Sequence, residues 1–137
     1  MILDEFTRKL LTIPYNHRGR SYDGCDCYGL ILIFYRDFLG MELLDIYQDY
    51  DEDWAFKGNK NYFIENYHKQ FEKVDKSQLY NIILFQNRKG VANHGGVVLQ
   101  NGKFIHCSKD GVNISRYNDE NFKRRFNGFY GYKNDKI

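Results

Sequence analysis

A helix-rich N-terminal half followed by short β-prone runs predicts an α+β fold. Apolar residues recur at helical spacing as far as Leu39, whereas beyond residue 70 they fall into brief runs separated by Asn, Gly and Asp. Ile2, Leu3, Phe6, Leu10 and Leu11 mark a first amphipathic helix over residues 2–11, closed by Pro14. Asn16 to Gly24 is rich in turn formers and reads as a loop that ends at a helix start. From Cys27 to Leu39 a wide apolar face of Leu30, Ile31, Ile33, Phe34 and Phe38 predicts a central, mostly buried helix, with Gly40 at its terminating position. Residues 45–70 carry scattered anchors, Trp54, Phe56, Phe63 and Ile64, and predict one or two irregular helices. Strands are expected at Phe71 to Val74, Ile82 to Gln86, Gly95 to Gln100, Lys103 to Cys107, Val112 to Ser115 and Phe126 to Tyr132, forming an antiparallel meander. Asn101-Gly102 is the strongest hairpin signal among them.

At 137 residues the chain predicts one domain spanning 1–137. Its 42% hydrophobic and 18% aromatic content is too apolar for a disordered chain. A net charge of +2, from 20 basic and 18 acidic residues, gives no field that favours nucleic acid. No run approaches the roughly 20 apolar residues of a membrane span. Asp4 and Glu5 interrupt the N-terminal apolar pattern, which argues against a signal peptide and for synthesis in the cytoplasm. No nucleic-acid or membrane partner is therefore expected.

Three cysteines, Cys25, Cys27 and Cys107, leave at least one free thiol. Cys27 falls in the first turn of the central helix, where unpaired amides and the helix dipole favour a thiolate. Asp26 is placed to cap that helix, and Gly29 to leave room for a substrate. Cys25 and Cys107 read as packing residues. A thiol nucleophile needs a base and a group to orient it. His94 and His106 lie on the two arms of the Asn101-Gly102 hairpin; the count from the turn does not set them directly opposite, but they can share one end of the sheet, which admits a Cys27-His94-His106 arrangement with the oxyanion met by amides near Cys27. His17 and His68 lie in polar segments and are expected at the surface. Two cysteines and two histidines also admit a zinc site, but no familiar ligand spacing is present, and no metal or cofactor is expected.

The segments IPYNHRGRSYDGCDCYGLILIFYRDFLG, NHGGVVL and NGKFIHCSKDGV resemble the D-C-x-G-L helix, the H-x-G strand and the second-histidine strand of the NlpC-type cell-wall peptidases. These are papain-like cysteine hydrolases, and the likeness is strongest to the short versions encoded among phage tail genes. It runs from about Pro14 to Val112. The resemblance implies a papain-like fold, with N-terminal helices and the nucleophile at a helix start packed on a C-terminal antiparallel sheet. It also implies Cys27 as nucleophile, His94 as base and His106 as its orienter. A loop tyrosine is implied near the nucleophile, Tyr15 first and Tyr22 second; Asp26 and Tyr28 flank the cysteine as further candidates for substrate or oxyanion contacts. The implied substrate is a peptidoglycan stem peptide, cleaved beside γ-D-glutamyl residues, and the implied setting is a phage tail or prophage acting at the bacterial wall, with tail proteins as partners. Tyr28 replaces the Trp or Ser usual after the nucleophile, Cys25 replaces a bulky apolar residue, and Tyr80-Asn81 replaces the G-D before the first core strand. Two other classes compete: a tail structural module without turnover, and a papain-like amidase or acyltransferase with a non-wall substrate.

Overall fold

A computed structural model describes residues 2–45 and 62–133. Helix α1 spans Leu3–Leu10 and buries Phe6 and Leu10, one turn apart, with acidic residues in its first turn and basic ones in its last, as the helix dipole favours. Phe6 packs edge-on against Phe34 and stacks on Phe38, at ring separations of 5.4 and 5.3 Å, which ties α1 to the central helix. The loop expected over residues 16–24 contains a small hairpin, β1 (Arg20–Ser21) and β2 (Gly24–Cys25). Two-residue strands carry no periodicity, so the sequence offered no signal for them.

Helix α2 spans Cys27–Asp37 and buries all of Tyr28 to Ile31 and Ile33 to Tyr35. Such burial is worth about 1.5–3 kcal/mol for each large apolar side chain. Gly40, at φ +68°, takes the left-handed conformation that ends the segment. Of the span 45–70, where one or two irregular helices are expected, the described residues hold α3 (Tyr62–Asn66) and a 3-10 turn (Tyr67–Lys69). Trp54 and Phe56 lie outside the described residues.

Six antiparallel strands follow: β3 (Phe71–Val74), β4 (Ile82–Gln86), β5 (Ala92–Val98), β6 (Lys103–Ser108), β7 (Gly111–Arg116) and β8 (Phe126–Tyr132). Their order, β3-β8-β4-β5-β6-β7, corrects the expected plain meander, because the last strand inserts between β3 and β4. Tyr80, at φ +71°, and Asn81 form the turn that enters β4; Asn81 Oδ1 accepts the Gln78 amide at 2.8 Å, and the Tyr80 carbonyl accepts the Tyr35 hydroxyl. Asn101 and Gly102, at φ +62° and +74°, make the predicted primed turn between β5 and β6.

Both sheet faces are covered. Ile82, Leu84, Val97, Ile105 and Cys107 meet the side occupied by α1 and α2, while Ile83, Phe85, Val98 and Phe104 form a second cluster on the other. A short helix the sequence did not reveal, α4 (Glu120–Arg125), sits against this second cluster through Phe122, whose ring lies 5.1 Å from Phe85 and 5.0 Å from Phe104. With a single apolar residue, it shows no amphipathic pattern to read.

Candidate active site

The start of α2 is built around Asp26. Its Oδ1 accepts the Gly29 amide and Arg20 Nη1, each at 2.8 Å, and its Oδ2 accepts the Arg18 amide at 3.0 Å. Arg20 is held in turn by Asp45, at 2.8 Å. The Asp26 carboxylate is thus saturated as cap and ion-pair partner, and any oxyanion contact here falls to backbone amides. Gly29 corrects an expectation. A Cβ there would stand 2.1 Å from the Gly19 carbonyl oxygen, so the missing side chain admits the preceding loop rather than a substrate. Tyr28 is buried, and its hydroxyl donates to the Leu44 carbonyl at 3.0 Å; its side chain belongs to the core.

Cys27 is partly exposed and receives the backbone amide of Gly95, on β5. Burial, reinforced by the Asp26 carboxylate, pushes its thiol up to about 12, and the Gly95 amide only partly opposes this. The thiolate expected from the helix end is thus opposed at Cys27 by burial and by the Asp26 carboxylate.

His94 and His106 come together as expected. His94 pairs across the ladder with Phe85, and His106 with Gly96, so both imidazoles stand on the sheet face opposite α2. A Cβ on Gly96 would lie 2.4 Å from the Ile105 carbonyl and 2.9 Å from His106 Cβ, which explains the glycine two places after His94. His94 Nε2 lies 2.6 Å from His106 Nδ1, and His106 Nε2 lies 2.9 Å from Ser115 Oγ. Ser115 Oγ donates to Asn113 Oδ1 at 3.2 Å.

That last donation orients the whole chain. With its proton given to Asn113, Ser115 accepts from His106 Nε2–H; His106 Nδ1 then accepts from His94 Nε2–H, leaving His94 Nδ1 with a free lone pair. Burial pushes His94 down to about 3, helped by His106 and Arg125, and burial takes His106 down to about 4. Both rings rest neutral.

The β5–β6 ladder begins only at Gly96 and His106, so on the His94 side the two strands part. The Cys27 thiol, at the start of α2, accepts the Gly95 amide of β5 and lies near Cys107, whereas both imidazoles stand on the sheet face away from α2. Among the described residues no hydrogen bond joins the sulfur to His94 itself.

Cys25 and Cys107 are buried, free thiols, and Cys107 Sγ donates to the Cys25 carbonyl at 3.1 Å, the packing role expected for both. Tyr15 bridges Cys25, with the Lys109 ammonium 5.0 Å from its ring. Tyr22 donates its hydroxyl to Asp37, at the end of α2 remote from Cys27. His68 is exposed as expected, but His17 is half-buried. The sequence reading missed the Gly95 amide, Ser115, Asn113 and Arg125. The first three were accessible, since Gly95 follows His94 directly and the tight turn at Lys109-Asp110 sets Asn113 opposite His106.

Helices packed on an antiparallel sheet, with a cysteine at a helix start and paired imidazoles on the strands, define the papain-like α+β class of fold. A sequence model of the NlpC/P60 family matches residues 12–130, and the chain belongs to that family, whose members are cysteine peptidases. Solved structures with the same fold include a lipoprotein-like NLP/P60 family protein of Staphylococcus aureus, with TM-score 0.65 and 21% identity over 93% of this chain and 39% of that one. An NlpC/P60 family protein of Bacillus cereus gives 0.67 and 23%, over 95% and 39%. The NlpC/p60 domain of the peptidoglycan hydrolase SagA gives 0.53 and 18%, over 82% and 85%. The chain thus spans about two fifths of the first two proteins.

Proposed function

We propose that the protein is a cysteine peptidase that hydrolyses amide bonds in peptidoglycan stem peptides, of the γ-D-glutamyl–diamino acid type. Cys27 is the nucleophile, His94 the base and His106 its orienting group. The observation that carries this is the directed chain from Asn113 through Ser115 and His106 to His94, which leaves His94 Nδ1 as a lone-pair acceptor one residue before Gly95, whose amide holds the Cys27 thiol.

The neutral thiol and neutral imidazole react in concert. His94 Nδ1 takes the Cys27 proton as the sulfur attacks the substrate carbonyl, and the backbone amides at the start of α2 receive the oxyanion. The imidazolium returns that proton to the leaving amine as the C–N bond breaks, giving a thioester on Cys27. Water, deprotonated by His94, then attacks the thioester; carboxylate leaves and the thiol is restored. No step needs a metal or cofactor. Peptidoglycan as substrate is supported by membership of the family and by the fold shared with a peptidoglycan hydrolase domain. A phage tail or prophage setting, with action at the bacterial wall, rests on the resemblance of the three motifs to tail-encoded members; genes flanking this one that encode no tail protein would count against it.

The test is digestion of purified peptidoglycan by the native protein and by Cys27→Ala, with products read by mass spectrometry. Release of fragments with a new N-terminal diamino acid by the native protein alone is expected. Identical products from both would reject the assignment.

A further inference from the structure

Next to the histidine pair, between the β4–β5 turn and the end of α4, lies a cavity of about 760 Å³. Arg88 and Lys89 line it from the turn, Arg124 and Arg125 from α4, and among the described residues no acidic one lines it. The chain as a whole is nearly charge-balanced, with 20 basic and 18 acidic residues, so four cations around one cavity is a local arrangement and not a consequence of composition. Basic residues ending a helix also serve its dipole, but that accounts for neither Arg88 nor Lys89, which belong to another element. Arg88 and Arg125 form no ion pair with the described carboxylates, and Arg124 donates only to the neutral Asn121 Oδ1, at 3.0 Å. A polar group adds a second requirement. Asn93 lines the same cavity, and its Oδ1 is buried without a hydrogen-bond partner, an arrangement that destabilises the protein unless a donor arrives.

We propose that this cavity is a binding subsite for the carboxylate end of a peptide, its anionic oxygens on the arginines and an adjacent N–H on Asn93. Cations alone would accept any anion, whereas cations beside an unfilled acceptor suit a group that carries anionic oxygens and a donor together. Asn93 immediately precedes His94, and the Arg125 charge acts on both imidazoles, so a ligand held here lies beside the catalytic pair. Resting on the proposed peptidase function, the subsite takes the carboxylate-bearing end of the stem peptide beside His94.

The test is binding, which needs no turnover. N-acetyl-alanyl-alanine, its C-terminal amide and inorganic phosphate are titrated into the native protein at constant ionic strength, following the backbone amide resonances of Asn93, Arg88 and Arg125. The free acid should give saturable shifts there and bind roughly tenfold or more tightly than the amide, with a similar loss in Arg88→Gln/Arg124→Gln, both exposed positions whose replacement spares the fold. The absence of saturable shifts, equal binding of acid and amide, or binding unchanged in the double variant would overturn the proposal; so would phosphate binding where the acid does not. A protein inactive on peptidoglycan that still selects the acid would fail the peptidase assignment alone.

Discussion

Replacing Asp26 by Ala tests how the start of α2 is held. The carboxylate caps the helix through Gly29, bonds the Arg18 amide and pairs with Arg20, and it is itself 7% exposed. Loss of a cap costs about 1 kcal/mol. Stranding a buried charge costs about 3–5 kcal/mol, but Arg20 is 23% exposed and keeps Asp45, so the lower end applies. The contributions overlap, and a combined loss of about 3 kcal/mol is expected, or about 10 °C in melting temperature for a chain of this size. Urea denaturation of the two proteins measures it. Asp26→Asn keeps the cap acceptor and should lose about half as much. The carboxylate also raises the Cys27 pKa, so iodoacetamide should label Cys27 faster in either folded variant than in the native protein at the same pH. A stability loss under ~1 kcal/mol, with an unchanged labelling rate, would refute the role assigned to Asp26.

Gly29→Ala forces a Cβ into the Gly19 carbonyl, a backbone atom that cannot swing aside, and should cost at least about 1–3 kcal/mol in thermal unfolding; a neutral result would mean the loop packs elsewhere. His106→Ala frees the His94 ring and should lower kcat on wall peptides by roughly 10²–10⁴ with a small change in KM, whereas Ser115→Ala should lower it only several-fold and shift its pH profile; equal effects would contradict the order of the chain. Both histidines have folded pKa values below the unfolded ~6.5, so the unfolded state binds protons first as pH falls. Their contribution to stability is therefore complete above about pH 7 and declines through pH 6 to 4. The urea midpoint should fall over that range in the native protein and fall less in His94→Asn/His106→Asn, and parallel curves would reject the linkage.

Much of the architecture was legible because it is written in local chemistry. The apolar face of α2, the Asn101-Gly102 turn and the β3, β4 and β8 runs each announce their own period or backbone angle. What was not legible depends on distant partners. Insertion of β8 beside β4 is a choice among strand neighbours, and α4 exists because Phe122 finds Phe85 and Phe104, neither of which its own six residues reveal. At the site the same division holds. The pairing of His94 with His106 was carried by the motif resemblance, since counting along the hairpin left the two not directly opposed, and the upward push on the Cys27 thiol was not legible because it comes from burial and Asp26. Gly29 shows the limit of reading glycines: the position needs a glycine, yet the neighbour that requires it is Gly19, ten residues earlier.

The central assignment makes Cys27, relieved of its proton by His94, the atom that carries the acyl group. Acid-quenched mass spectrometry during turnover of a wall peptide tests this directly. The account predicts a transient acyl mass on the peptide containing Cys27, removed by hydroxylamine and lost in Cys27→Ser and His94→Ala. Steady hydrolysis by Cys27→Ala, or an adduct on Cys25 or Cys107 in its place, would contradict it.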